Sequence, residues 1–218
     1  MTITSAFLQL SIWIVLLPLV TGFLFFKRLD EPSRIVFYIV VFATVPQLLT
    51  VSMIKSKELN IVYNVYTLGE FLFTYFLLGH SFANKWFNYI SRSLVVAYST
   101  FAGILISYNG LYHKFLNELV CAASTVYLIW IFLTILDTLY HEEKLINSRL
   151  PFFWYLTAIL LYSPCTIFVF ALTYYIEKST NPVIHNLWNI QSFFNVVMYT
   201  LFAIGFYQSY KSRKAAGQ

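Results

Sequence analysis

Of the chain's 218 residues, 59% are hydrophobic and 11% charged, with a mean hydropathy of +0.69. That composition excludes a soluble globular domain and places the chain in the membrane class. The formal net charge of +5 is no nucleic-acid footprint, because lysines and arginines punctuate the apolar runs instead of gathering in one basic patch.

Residues 1–5 carry no basic region, and no small-x-small pattern follows the first apolar run. That run is therefore expected to stay as a helix rather than be removed as a signal peptide. Runs of spanning length fall at 6–26, 34–54, 61–82, 89–108, 116–140, 151–176 and 187–207, leaving a short basic tail at 208–218. The breaks between them carry charge, Pro, Asn or Gly, as at 27–34, 55–58, 83–86, Asn109-Gly110, 141–149 and 177–182. Pro151 suits the first turn of the sixth helix. The expected fold is thus all-α, a single polytopic domain of seven transmembrane helices. Cys121 and Cys165 both lie inside apolar runs and read as small buried side chains rather than a disulfide.

Alternate connections differ in charge. Lys27, Arg28, Arg34, Lys85, Arg92, Lys144, Arg149, Lys211, Arg213 and Lys214 fall on one side, ten in all, against Lys55, Lys57, Lys114 and Lys178 on the other. The positive-inside rule then puts the amino terminus outside and the carboxyl terminus in the cytoplasm. Tyr and Trp near the run ends, such as Tyr108, Tyr174 and Trp86, read as interfacial belts. The short loops and lack of Asn-x-Ser/Thr sequons fit a bacterial inner membrane.

One carboxylate stands near the middle of the third run. An ionisable group at that depth is costly and usually functional. Glu70 shares a helix face with Tyr63 and Tyr66 through i, i+3, i+7 spacing, so a phenol is placed to donate to it. Pro46-Gln47, Ser99-Thr100, Ser163 to Thr166 and Asn195 are expected at similar depth, making one polar layer. On the seventh run, His185, Asn189, Ser192, Asn195 and Tyr199 trace a polar stripe from the outer surface inward, with Trp188 and Gln191 beside it. Asn64, His185 and Asn189 lie in the expected outer half, which points to a pocket open to the outside and deepening toward Glu70. The same residues also read as interhelical hydrogen-bonding groups, with the prolines as kinks.

Asp137 and His141, four apart at the end of the fifth run, could supply two ligands to a metal. No second convergent pair is visible, so no metal centre and no cofactor are expected. No lysine lies inside any run, which excludes a retinal Schiff base, and no phosphate-binding glycine loop, His-Glu-x-x-His or Gly-x-Ser-x-Gly occurs.

The phrases Asn64-Val-Tyr-Thr-Leu-Gly-Glu-Phe71, Leu150-Pro-Phe-Phe-Trp-Tyr155 and Leu187-Trp-Asn-Ile-Gln-Ser-Phe-Phe-Asn195 resemble those of uncharacterised bacterial seven-helix membrane proteins. In topology the chain is similar to the seven-helix sensory regions of bacterial histidine kinases. That resemblance implies a sensor; with only 208–218 after the last run, its signal is expected to pass to a separate membrane or cytoplasmic protein. The expected function is a non-enzymatic receptor, sensor or accessory subunit in the lipid bilayer, holding a small apolar or amphipathic ligand or a membrane partner around Glu70. A small proton-linked transporter is the alternative. An intramembrane lipid-modifying enzyme ranks third, since it needs a second reactive group near Glu70. A fluorescent protein fused after Gln218 is expected to fluoresce and a periplasmic phosphatase fused there to stay inactive; the opposite pattern would reverse the orientation.

Overall fold

In hydrocarbon every backbone N–H and C=O needs an internal partner, so apolar runs of about twenty residues fold as helices. The computed structural model describes residues 10–53, 58–80, 82–140, 150–178 and 186–215. Among them it holds seven helices long and apolar enough to cross a membrane and no strand.

The first, α1, spans Leu10–Arg28 and closes in a 3₁₀ turn at Phe26–Arg28. Its regular part is Leu16–Phe25. Pro18 has no N–H to give the Ile14 carbonyl, which instead accepts from the Leu17 N–H at 3.0 Å, so the winding tightens there. Helix α2, Glu31–Met53, starts earlier than its charge pattern suggests because Asp30 caps it, accepting from the Ser33 N–H at 3.2 Å. Helix α3, Glu58–Thr74, continues into a π-helical turn at Tyr75–Gly79. Helix α4 is Lys85–Asn109, capped by Asn84 and ended by Gly110 at φ 69°. A glycine reaches that left-handed region without the Cβ penalty.

Helix α5 covers Asn117–Tyr140 and α6 Pro151–Ala171. The sixth run is expected to continue to 176, but the chain breaks at Leu172 and resumes as a short helix, Thr173–Lys178. The Thr173 hydroxyl approaches the Val169 carbonyl at 3.4 Å, an acceptor that a continuing helix would give to the backbone. Helix α7, Leu187–Ala215, is the longest at 29 residues, about 43 Å at 1.5 Å per residue. It carries most of the basic segment at 208–218 as helix rather than loose tail.

Helix α7 packs along α6 and α1, α6 along α5, and α2 along α3, while α4 sits at the periphery against α5 and the π turn. Close approach depends on glycines. A Cβ on Gly205 would stand 2.2 Å from the Tyr155 ring, and one on Gly22 2.4 Å from the Phe37 ring. Small residues at such crossings are how apolar helices gain van der Waals contact when lipid offers no hydrophobic drive. The same end is tied by polar groups: Tyr155 Oη donates to Ser33 Oγ at 2.6 Å, Ser209 Oγ donates to Asp30 Oδ1 at 3.0 Å, and the Asp30 N–H donates to Ser209 Oγ at 3.0 Å. These bonds join the α1–α2 turn, α2, α6 and α7 at one level.

Gly205→Val is expected to lower the detergent melting midpoint, at a cost of about 1–3 kcal/mol for overpacking against a fully buried ring. A wild-type melt would refute the tight Gly205–Tyr155 crossing.

Candidate functional site

Glu70 lies twelve residues after the start of α3, roughly 18 Å along it, near mid-depth. Its side chain lies inside the bundle beside Tyr66. It faces a cavity of about 360 Å³ between α1, α2, α3, α5, α6 and α7. The cavity runs from the ends of these helices, where Thr50, Tyr63, Phe115, Phe170 and Trp188 line it, down to Pro46, Gln47, Glu70, Asn195 and Tyr199. Its size matches pockets for small molecules, about 300–1,000 Å³.

The wall is rich in phenols. Tyr66, one turn before Glu70, sits within hydrogen-bonding reach of the carboxyl. Tyr98, Tyr127, Tyr162 and Tyr199 also lie close enough to interact with it electrostatically, and all but Tyr98 line the cavity. Higher up, Tyr63 and Thr50 share a 2.6 Å hydroxyl hydrogen bond that joins α3 to α2. Gln191 Nε2 donates to Thr166 Oγ1 at 3.1 Å, joining α7 to α6, and Asn195 Nδ2 donates to the Ser11 carbonyl at 3.1 Å, joining α7 to α1. Behind Glu70, Phe71 stacks on Tyr98 with centroids 3.8 Å apart and leans on Trp130 at 5.2 Å. Tyr127 Oη, beside Thr74, completes no hydrogen bond of normal geometry.

Of the residues singled out from the sequence, Glu70, Tyr66, Tyr63 and Asn195 come together on this cavity. Asn64 does not. It is 1% exposed and spends its amide on the α4–α5 loop, donating to the carbonyls of Leu111 and Lys114 and accepting from the Leu116 N–H, each at 3.0 Å. Asn189 points away as well, donating to Asn186 at 3.3 Å on an exposed surface. Of the expected α7 stripe, Ser192, Asn195 and Tyr199 line the cavity, and Trp188 and Gln191, expected beside it, join them in place of Asn189. His185 and His141 lie outside the described residues. Asp137 grips the α3–α4 loop, accepting from the N–H groups of Ala83 at 2.7 Å and Asn84 at 3.0 Å. Among the described residues no three His, Cys, Asp or Glu side chains gather as a metal site.

The expected polar layer is also smaller than its sequence pattern. Pro46, Gln47, Glu70, Thr166 and Asn195 contribute, but Ser99 and Thr100 sit on the exposed face of α4, where the Thr100 hydroxyl bonds its own helix at Val96. Helix α4 stays peripheral, so its mid-depth hydroxyls never reach the centre. The sequence reading missed Tyr127, Tyr162 and Ser124. The two tyrosines carried a usable signal: each falls near the middle of its helix, too deep for an interfacial belt.

Glu70 is the one Asp, Glu, Lys, Arg, His or Cys among the described residues that line it. The arrangement can therefore hold or release a proton at one site, accept hydrogen bonds at that site, and cover an apolar body with aromatic faces. Comparison with protein-family models, curated proteins and solved structures gave no match.

Asn64→Ala is expected to destabilise the protein by about 1–3 kcal/mol, since it strands the buried backbone groups that the amide satisfies. Asn189→Ala should stay within about 0.5 kcal/mol of wild type, as exposed substitutions do. Thermal melts of the two variants that coincide would contradict this division of roles.

Proposed function

We propose that this chain is a non-enzymatic multipass membrane protein of receptor, sensor or accessory-subunit type, which binds a small molecule in the cavity that ends on Glu70. The observation that carries this reading is the cavity itself, a small-ligand-sized hollow with one carboxyl at mid-depth and an aromatic wall. A polar group held in hydrocarbon without function would be expected to be packed and satisfied. Here the carboxyl faces open space.

Two further elements belong to the reading. The ten-to-four imbalance of Lys and Arg supports an amino terminus outside, so that the cavity opens outward and the basic end of α7 faces the cytoplasm. Topological likeness to the sensory regions of histidine kinases supports a bacterial inner-membrane protein that hands its signal to a separate partner. Fold-level likeness is an analogy and names no ligand.

Native mass spectrometry of the protein released from gentle detergent tests the proposal. Wild type is expected to carry a stoichiometric small molecule that Glu70→Gln loses while remaining inserted and monodisperse. A chain that emerges with a stoichiometric protein partner and an empty cavity would assign the polar centre to assembly. Proton-coupled flux in proteoliposomes, abolished by Glu70→Gln, would replace the receptor with the carrier.

A further inference from the structure

The cavity has a charge problem that its own walls do not solve. Among the described residues no Lys, Arg or His lines it, so none of them gives a Glu70 carboxylate a counter-charge there. Isolated ionised carboxylates are expensive in a low-dielectric interior and need a partner of opposite sign. What the walls do supply is π surface. Tyr63, Tyr66, Tyr127, Tyr162, Tyr199 and Trp188 all line the hollow. Aromatic faces carry negative quadrupole charge and attract ammonium groups, most strongly where water is excluded.

From the ring-lined cavity and its single carboxyl we infer that the occupant is an organic cation, an ammonium group on a compact apolar body, with Glu70 as its counter-ion. This rests on the small-molecule reading above and narrows it. An anionic ligand would meet a Glu70 carboxylate with like charge, and a neutral one would leave that carboxylate with the Tyr66 hydrogen bond but no counter-charge. A bare hard cation would find a single carboxylate among the described lining residues and gain little from the aromatic walls. A protonated amine uses both features together.

The ammonium can come from a free amine or from the headgroup of a membrane lipid. Dissociation constants measured at neutral pH for phenethylammonium, 2-phenylethanol and 3-phenylpropionate separate charge from shape, since the three probes share a ring and a short linker. In phosphatidylglycerol nanodiscs, wild type should bind the ammonium on the order of tenfold tighter than the alcohol, with the carboxylate excluded. Glu70→Gln should erase that preference. Tyr162→Leu, which removes a ring and keeps the carboxyl, should weaken the ammonium more than the alcohol. Adding phosphatidylethanolamine leaves the ammonium affinity unchanged if the occupant is a free amine and weakens it if the occupant is a lipid headgroup.

Equal affinity of wild type for alcohol and ammonium, or a preference that survives Glu70→Gln, overturns the cation while leaving a small-molecule cavity in place. Binding of none of the three probes also overturns it. The broader reading falls separately, when native mass spectrometry finds the cavity empty.

Discussion

A hydrocarbon solvent forms no hydrogen bonds, and that constraint governs every polar atom in this structure. Along the helices it is met by the backbone itself. Elsewhere the winding or a side chain adjusts to meet it: the helix tightens at Pro18 so that the Leu17 N–H reaches the Ile14 carbonyl, and Asn195 reaches across to the Ser11 carbonyl. Glu70 meets it with Tyr66 at the wall of the cavity, while the buried Tyr98, Tyr127 and Ser163 hydroxyls and the Trp130 indole N–H find no partner among the described residues.

Polar side chains therefore fall into two populations. One ties the ends of the bundle. Asn64 holds the α4–α5 loop, Asp137 the α3–α4 loop, and Asp30 with Ser209 the α1–α2 turn. These groups are saturated by backbone or hydroxyl partners and have little capacity left for a ligand. The other population faces the hollow, where Gln191 joins Thr166 and Tyr63 joins Thr50 across helix boundaries. Those bonds cross the cavity wall rather than fill the cavity. They join the wall with few groups, and tyrosines and Trp188 make up much of the rest of the lining.

Seven helices were legible because hydrophobic length is a strong signal and nothing competes with it. Boundaries were less so. Charged residues at 31–34 read as loop, yet Asp30 caps a helix that includes them, and α6 breaks at Leu172 inside a stretch whose hydropathy gives no sign of it. Within the site, Glu70, Tyr66, Tyr63 and Asn195 could be picked out, because a polar group at mid-depth stands out against its neighbours. Asn64 and Asn189 could not be sorted from them. Whether an amide near a helix end binds a loop, faces solvent or faces a cavity depends on the rotation of the helix, and rotation is fixed by packing. The peripheral seat of α4, which turns Ser99 and Thr100 outward, is likewise a property of the bundle and not of its own sequence.

Helix α7 lines the cavity near its start and is bolted to the α1–α2 turn near its finish, with no break among its 29 residues. A helix of that length behaves as a stiff rod. One continuous element thus joins the cavity wall at Trp188, Gln191 and Tyr199 to the Asp30–Ser209 tie, with Lys211, Arg213 and Lys214 in its last turns just beyond.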